Sequence, residues 1–309
     1  MNYSFTSKKL TKEDIPIAKV ENSKQIIYLT EENGDLENNT KNKIVQFYDY
    51  LNSKSSVFRL SSSSEQLLLD AIKNDDITLL SNHDKKIYNQ FNDYLKGDKH
   101  LYSDNDFEII PNEKVRECLF ISGQSNSGKS YFASKYMNNF NKLFPTSDIY
   151  LISSKNYEPA FEGLNIKQLD LNHIKDIVES GTPPYEFFVG KKQSLVVFDD
   201  VEGLEKKMEE NVRTILKSIL EVGRASRIYC ICINHLLNNG FKTKFIINEA
   251  TMVVVFPKLI SHHNLKYYLE SYLGFSKQQI NKLLSLKSRW IAINKNPRYI
   301  IGKNDIILM

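Results

Sequence analysis

The chain has 309 residues, enough for one sizeable α/β domain with an appended region or for two domains. Hydrophobic residues make up 41% and charged residues 25%, ordinary values for a soluble globular protein, and the net charge of +4 permits contact with nucleic acid without requiring it. No apolar run approaches the roughly 20 residues of a membrane span, the N-terminus lacks the apolar core of a secretion signal, and three cysteines are too few for a disulfide framework, so a reducing, intracellular setting is expected.

Residues 1–106 are expected to form an N-terminal region of their own. They are rich in Asn, Ser, Lys and Asp, with polar stretches at Glu31–Lys43 and Ser61–Ser64. Ile26–Leu29 suits a short strand. Ile44, Val45, Phe47, Tyr48 and Leu51 fit one helical face, and residues 67–72 fit another. The region reads as small and mostly helical, with no job assigned to it.

From about Phe107 the pattern changes to apolar strands alternating with helices, the signature of a parallel α/β sheet. Residues 107–309 are therefore expected to be one α/β domain. Its strand candidates are Cys118–Ser122, Ile149–Ser153, Ser194–Asp199, Ile228–Asn234 and Met252–Phe256. A long amphipathic helix runs through Leu204, Met208, Val212, Ile215, Leu216, Ile219 and Leu220, and Gly223 stands where a C′ glycine would stop it. Helices near His263–Leu273 and Lys277–Leu286 precede a hairpin of Trp290–Ile293 and Arg298–Ile301. Cys230 and Cys232 alternate along a buried strand, so both thiols face one side and read as structural.

Gly123-Gln124-Ser125-Asn126-Ser127-Gly128-Lys129-Ser130 is a full match to the G-x-x-x-x-G-K-[ST] phosphate-binding loop. A random chain of this length matches about once in a hundred, and a chain with only 12 glycines less often. The context is also right. The apolar run Leu119-Phe120-Ile121 precedes the loop, and Tyr131, Phe132, Ala133, Tyr136, Met137 and Phe140 follow at helical spacing. In such a loop backbone N–H groups wrap a nucleotide's phosphates, the Lys reaches the terminal phosphates and the Ser hydroxyl reaches Mg²⁺. Residues 123–131, through Tyr131, are thus expected to hold ATP.

Leu195-Val196-Val197-Phe198-Asp199-Asp200 is a buried strand ending in two acids and suits a Walker B strand. Asp199 is expected to share the Mg²⁺ with Ser130. Asp200 is the first candidate for the group that orients the attacking water, with Glu202 its rival. Asn234 ends the following strand and is the candidate γ-phosphate sensor, while His235 is a candidate nucleotide contact, with packing or capping the next helix the first expectation. Arg224, or Arg227 beside it, is a candidate arginine finger acting on a neighbouring subunit. Lys242 and Lys244, in the loop after that strand, are candidate DNA contacts.

Together, residues 123–130, 195–200, Gly223–Arg224, Asn234 and the stretch 248–257 resemble the FtsK–HerA superfamily of P-loop ATPases, in particular the genome-packaging ATPases of large DNA viruses (the poxvirus type) and virophages. The resemblance covers residues 117–258. It departs from the superfamily in having Asn for the usual Gln at the sensor, and Ala-Ser after Gly223–Arg224. It implies a P-loop NTPase fold of the RecA, additional-strand type, with a parallel sheet flanked by helices. It further implies a homo-oligomeric ring that couples ATP hydrolysis to translocation of double-stranded DNA into a capsid, with capsid proteins as partners, in host cytoplasm, virus factory and virion. A helicase-like ATPase is a second reading, without further helicase motifs to support it. A nucleotide kinase is a third, disfavoured because no Arg lies between the glycine loop and Asp199. A non-hydrolysing nucleotide-binding protein is a fourth, disfavoured by intact Lys129, Ser130, Asp199 and Asp200.

Overall fold

The apolar runs that read as buried strands form the centre of one sheet in a computed structural model, which describes residues 3–7, 9, 11–31, 43–44, 47–48, 60–74, 76–96, 99–190 and 192–309. The strands are β1 (Tyr3–Thr6), β2 (Ile15–Val20), β3 (Ile26–Glu31), β4 (Lys99–Tyr102), β5 (Phe107–Ile109), β6 (Cys118–Ser122) and β7 (Asp148–Ser153), then β8 (Lys167–Gln168), β9 (Ser194–Asp199), β10 (Ile228–Asn234), β11 (Met252–Val255), β12 (Ile291–Asn294), β13 (Tyr299–Gly302) and β14 (Asp305–Leu308). The described α-helices are α1 (Ser62–Asn74), α2 (Asn82–Lys96), α3 (Lys129–Leu143), α4 (Leu171–Glu179), α5 (Lys206–Val222), α6 (Phe241–Glu249), α7 (His262–Ser271) and α8 (Lys277–Ser285).

The main sheet runs in the order β4-β14-β13-β12-β11-β6-β10-β9-β7-β8. From β11 to β8 every pairing is parallel, and from β11 to β4 every pairing is antiparallel. Residues of β6, β9 and β10 are buried throughout, because helices cover both faces, which is why these strands read as unbroken apolar runs. Alternate residues serve opposite layers. Phe120, Val196 and Cys230 pack with Ile215 and Ile219 of α5. Leu119, Ile121, Val197 and Ile231 pack with Phe132, Met137 and Phe140 of α3. The three cysteines are free and buried, and the Cys230 and Cys232 Sγ atoms lie 3.7 Å apart on one side of β10, as expected.

The hairpin expected at the C-terminal end is present as β12 and β13, and β14 and β4 extend it. Residues 99–102 thus complete the sheet of the C-terminal part. Gly223 ends α5, but in right-handed rather than left-handed conformation. Its requirement is space: an added Cβ would meet the Ile219 carbonyl oxygen at 2.5 Å.

The N-terminal stretch holds α1 and α2, and it also holds more strand than its periodicity suggests. A second sheet has the order β1-β3-β2-β5. Only part of β3 was legible. In β2 a register shift between Pro16 and Ala18 breaks the two-residue alternation that announces a strand. Ile17, Val20, Leu29, Phe107 and Ile109 of this sheet join the core layer of α3. The helices α1 and α2 keep a smaller core of their own around Phe47, Leu68, Ile72, Ile87 and Phe91. Of the helical face read at residues 44–51, Val45 and Leu51 lie outside the described residues, as does most of the Glu31–Lys43 stretch.

Candidate nucleotide site

The glycine loop leaves the C-terminal end of β6 and enters α3, the strand–loop–helix path its sequence predicts. Gly128 takes φ 103°, a region only glycine enters without strain, and Asn126 takes φ 62°. Gly123 N–H donates to the Asn234 carbonyl at 3.3 Å, which fastens the loop to β10. Lys129 Nζ curls back over the loop and donates to the carbonyls of Gly123 at 2.7 Å and Gln124 at 2.9 Å. Burial holds its pKa below the ordinary lysine value, against the pull of Asp199 and Asp200.

Facing the loop across a cavity of about 340 Å³ are the two acids after β9. Ser125, Asn126, Gly128, Lys129, Ser130 and Tyr131 line one side, and Asp199, Asp200 and His235 line the other. The structure therefore brings together the loop, Ser130, Asp199 and Asp200 as their sequence suggests. Asp199 is only 2% exposed, and burial pushes its pKa up to about 6, with Lys155 opposing the shift. Its Oδ2 and the Ser127 Oγ are buried without a hydrogen-bond partner, an arrangement that folded interiors seldom leave standing. Asp200 differs. Burial would raise its pKa, but hydrogen bonds from Lys155 and His235 hold it below the usual carboxylate value. Its backbone is strained at φ 53°, and Ser154 Oγ donates to its carbonyl at 2.6 Å.

Sequence reading missed Lys155, on the loop after β7. Its ammonium lies 3.2 Å from Asp200 Oδ2 and 3.5 Å from Glu158 Oε2, within the same cavity. Its signal was a lysine two residues past the tip of a predicted parallel strand, where ligands gather in open α/β sheets. Arg289 was also missed. It precedes β12, donates from Nε to the Ser127 carbonyl at 3.2 Å and lies against Gly128.

Other expectations change. His235 neither caps nor merely packs: its Nε2 lies 3.0 Å from Asp200 Oδ1. Asn234 points away from the phosphate cavity and donates to Glu202 Oε1 at 3.2 Å, so the sensor candidate and the rival base hold each other in a neighbouring cleft. Lys242 and Lys244 lie on α6, not in a loop, and Lys242 Nζ is paired with Glu209 at 2.6 Å. Arg224 and Arg227 precede β10, at the N-terminal edge of the parallel strands, while the glycine loop sits at the C-terminal edge. A seven-residue strand separates the two edges by about 20 Å, so Arg224 does not reach this chain's own cavity.

A glycine loop between a buried parallel strand and a helix, with an acid-tipped strand two positions away across β10, defines the P-loop NTPase fold. The chain belongs to the family of the uncharacterized protein V3 of Sputnik virophage: the two are 35% identical over 209 residues, which cover 64% of this chain and 79% of that protein. A virophage protein is the kind of relative the sequence resemblance names. No family model matches the chain. Among solved structures, the genome packaging NTPase B204 of Sulfolobus turreted icosahedral virus 2, in complex with ATP-gammaS, is 13% identical with a TM-score of 0.43 and covers 61% of this chain and 97% of its own. The pCW3 conjugation coupling protein TcpA is 12% identical with a TM-score of 0.42, covering 67% of this chain and 66% of its own.

Proposed function

We propose that this chain is an ATPase that drives double-stranded DNA into a viral capsid, working as a homo-oligomeric ring. One observation carries the reading: the complete glycine loop and the paired acids Asp199 and Asp200 line a single cavity. Residues 123–131 hold the phosphates of ATP, and Lys129 swings from its loop carbonyls to the terminal phosphates. The buried, unpartnered Oδ2 of Asp199, with the hydroxyl of Ser130, suits a hard cation with oxygen ligands. When bound, Mg²⁺ would neutralise charge on the transferred phosphoryl group.

Asp200 stays ionised and orients the attacking water, with His235 and Lys155 fixing its carboxylate. Glu202, tied to Asn234, is the weaker candidate, and Asn234 can sense the γ-phosphate only by leaving Glu202. Arg224, remote from its own cavity, serves as a finger only toward a neighbouring subunit, which agrees with a ring. The partition into residues 1–106 and an ATPase part 107–309 remains part of the proposal, with β4 and β5 stitching the two together. The family tie to a virophage protein supports a viral setting, in host cytoplasm, virus factory and virion with capsid proteins as partners. No described helix is long and apolar enough to cross a membrane.

The test is the rate of ATP hydrolysis with and without linear double-stranded DNA, at low and moderate salt, on protein sized by light scattering. Stimulation that fades with salt, from a ring-sized species, is expected. Turnover indifferent to DNA from a monomer would overturn the motor reading and favour another P-loop ATPase or a nucleotide kinase.

A further inference from the structure

A second cavity, of about 290 Å³, opens beside the phosphate cavity, and the two share Gly128 and Tyr131 in their walls. A nucleotide whose phosphates lie on Lys129 and Ser130 must send its remaining half past those shared residues. On one side, Phe132 of α3 meets Trp290 edge-on with ring centroids 4.9 Å apart, and Phe256 adds to this wall. The opposite side comes from the N-terminal sheet: Phe107, Glu108 and Ile109 of β5, and Glu21 just after β2. Polar groups converge on the rim. Lys135 Nζ pairs with Glu21 and, at 3.1 Å, with Glu108, and it sits 5.3 Å from the Tyr131 ring. Arg289, on the Ser127 carbonyl, stands where the cavities meet.

We propose that this second cavity takes the adenosine half of the nucleotide, and that the N-terminal sheet supplies the wall that reads the base. The inference rests on the reading of the glycine loop as a phosphate site. An apolar cleft with a few convergent polar groups is what a flat heterocycle needs. Aromatic faces and edges take the ring, the Glu108 carboxylate accepts from an exocyclic amine, and the Lys135 ammonium donates to a ring nitrogen. The Arg289 guanidinium, always charged and rich in donors, is placed for the phosphate nearest the sugar. The N-terminal sheet thereby acquires a role that nothing in its own sequence announces.

The chain carries its own reporter, because Trp290 is its sole tryptophan. The full chain is titrated with Mg-ATP and, separately, with inorganic tripolyphosphate, following Trp290 emission and the displacement of radiolabelled ATP. ATP is expected to change the emission. Tripolyphosphate is expected to displace ATP while leaving the emission at its ligand-free value. Glu108→Gln should weaken ATP binding roughly tenfold and leave tripolyphosphate affinity unchanged, since one charge-assisted hydrogen bond is lost at the base alone. If tripolyphosphate displaces ATP but ATP leaves Trp290 silent, or Glu108→Gln binds ATP as the unaltered chain does, the adenosine cavity is overturned and the phosphate site stands. If neither compound binds, the phosphate-site reading falls and this inference falls with it.

Discussion

The two ends of the parallel strands β6, β9 and β10 solve opposite problems. At the N-terminal edge the buried Arg116 and Glu117 are both bonded. Arg116 donates from Nε to the Ile228 carbonyl at 2.7 Å, and from its other two nitrogens to Ile219 and Leu220, so it closes the end of α5 and fixes the start of β10. Glu117 accepts from Tyr136 Oη at 2.7 Å and from the Asn112 N–H at 3.1 Å, and the Tyr229 hydroxyl donates to the Asn112 carbonyl. At the C-terminal edge Asp199 and Ser127 keep buried oxygens without partners. The contrast teaches where stability and binding capacity are kept. The bonded edge anchors the strands, and the anchored strands can then hold unsatisfied groups ready for a ligand.

Substitutions at each edge can break this division. The largest effect is expected from Lys129→Ala, which should lower the rate of phosphate release from ATP by a thousandfold or more, on the order of 4 kcal/mol, with thermal melting hardly moved. A variant that loses melting temperature as well would show that the open edge also carries the fold. Asp200→Asn should retain nucleotide binding and lose about a hundredfold or more in turnover. Glu202→Gln run beside it should be nearly silent; the reverse pattern would transfer the base role to the residue that Asn234 holds. Arg116→Ala should leave nucleotide affinity intact and cost about 3 kcal/mol of stability, read by denaturant melts, because it strands buried carbonyls.

The finest test uses Glu117. Burial pushes its pKa up to about 7, with the bonds from Tyr136 and Asn112 pulling the other way. Between the unfolded value near 4.5 and about 7, the folded chain holds a proton that the unfolded chain has released. This group's contribution is therefore fully present at low pH and lost as pH rises through that window. Glu117→Gln, neutral throughout, should gain up to roughly 3 kcal/mol relative to the unaltered chain between pH 5 and pH 8, read as diverging melting temperatures. Parallel curves would mean that the carboxyl is solvated.

The parallel core was legible because it is buried on both faces. Cys118–Ser122, Ser194–Asp199 and Ile228–Asn234 fall where the apolar runs put them, and the loop and acids at their tips follow directly. What could not be read was whatever depends on meeting across the chain. Lys155 and Arg289 are ordinary surface-type residues in sequence, and only the sheet order brings them to Asp200 and Ser127. His235 was visible, but its partner lies 35 positions earlier, just past the tip of another strand. Strand β2 hid behind its bulge, β4 behind a short, half-polar composition and β14 behind its mere four residues, until the two pair with each other.

That last pairing governs how the molecule assembles. Strand β4 finds its hydrogen-bonding partner in β14, and His100 meets Asp305 at 2.8 Å across a sequence separation of 205. The nucleotide-binding core between them is made of nearer neighbours. A chain wired in this way should acquire its phosphate loop early and close the sheet margin last, after a loop closure spanning most of its length.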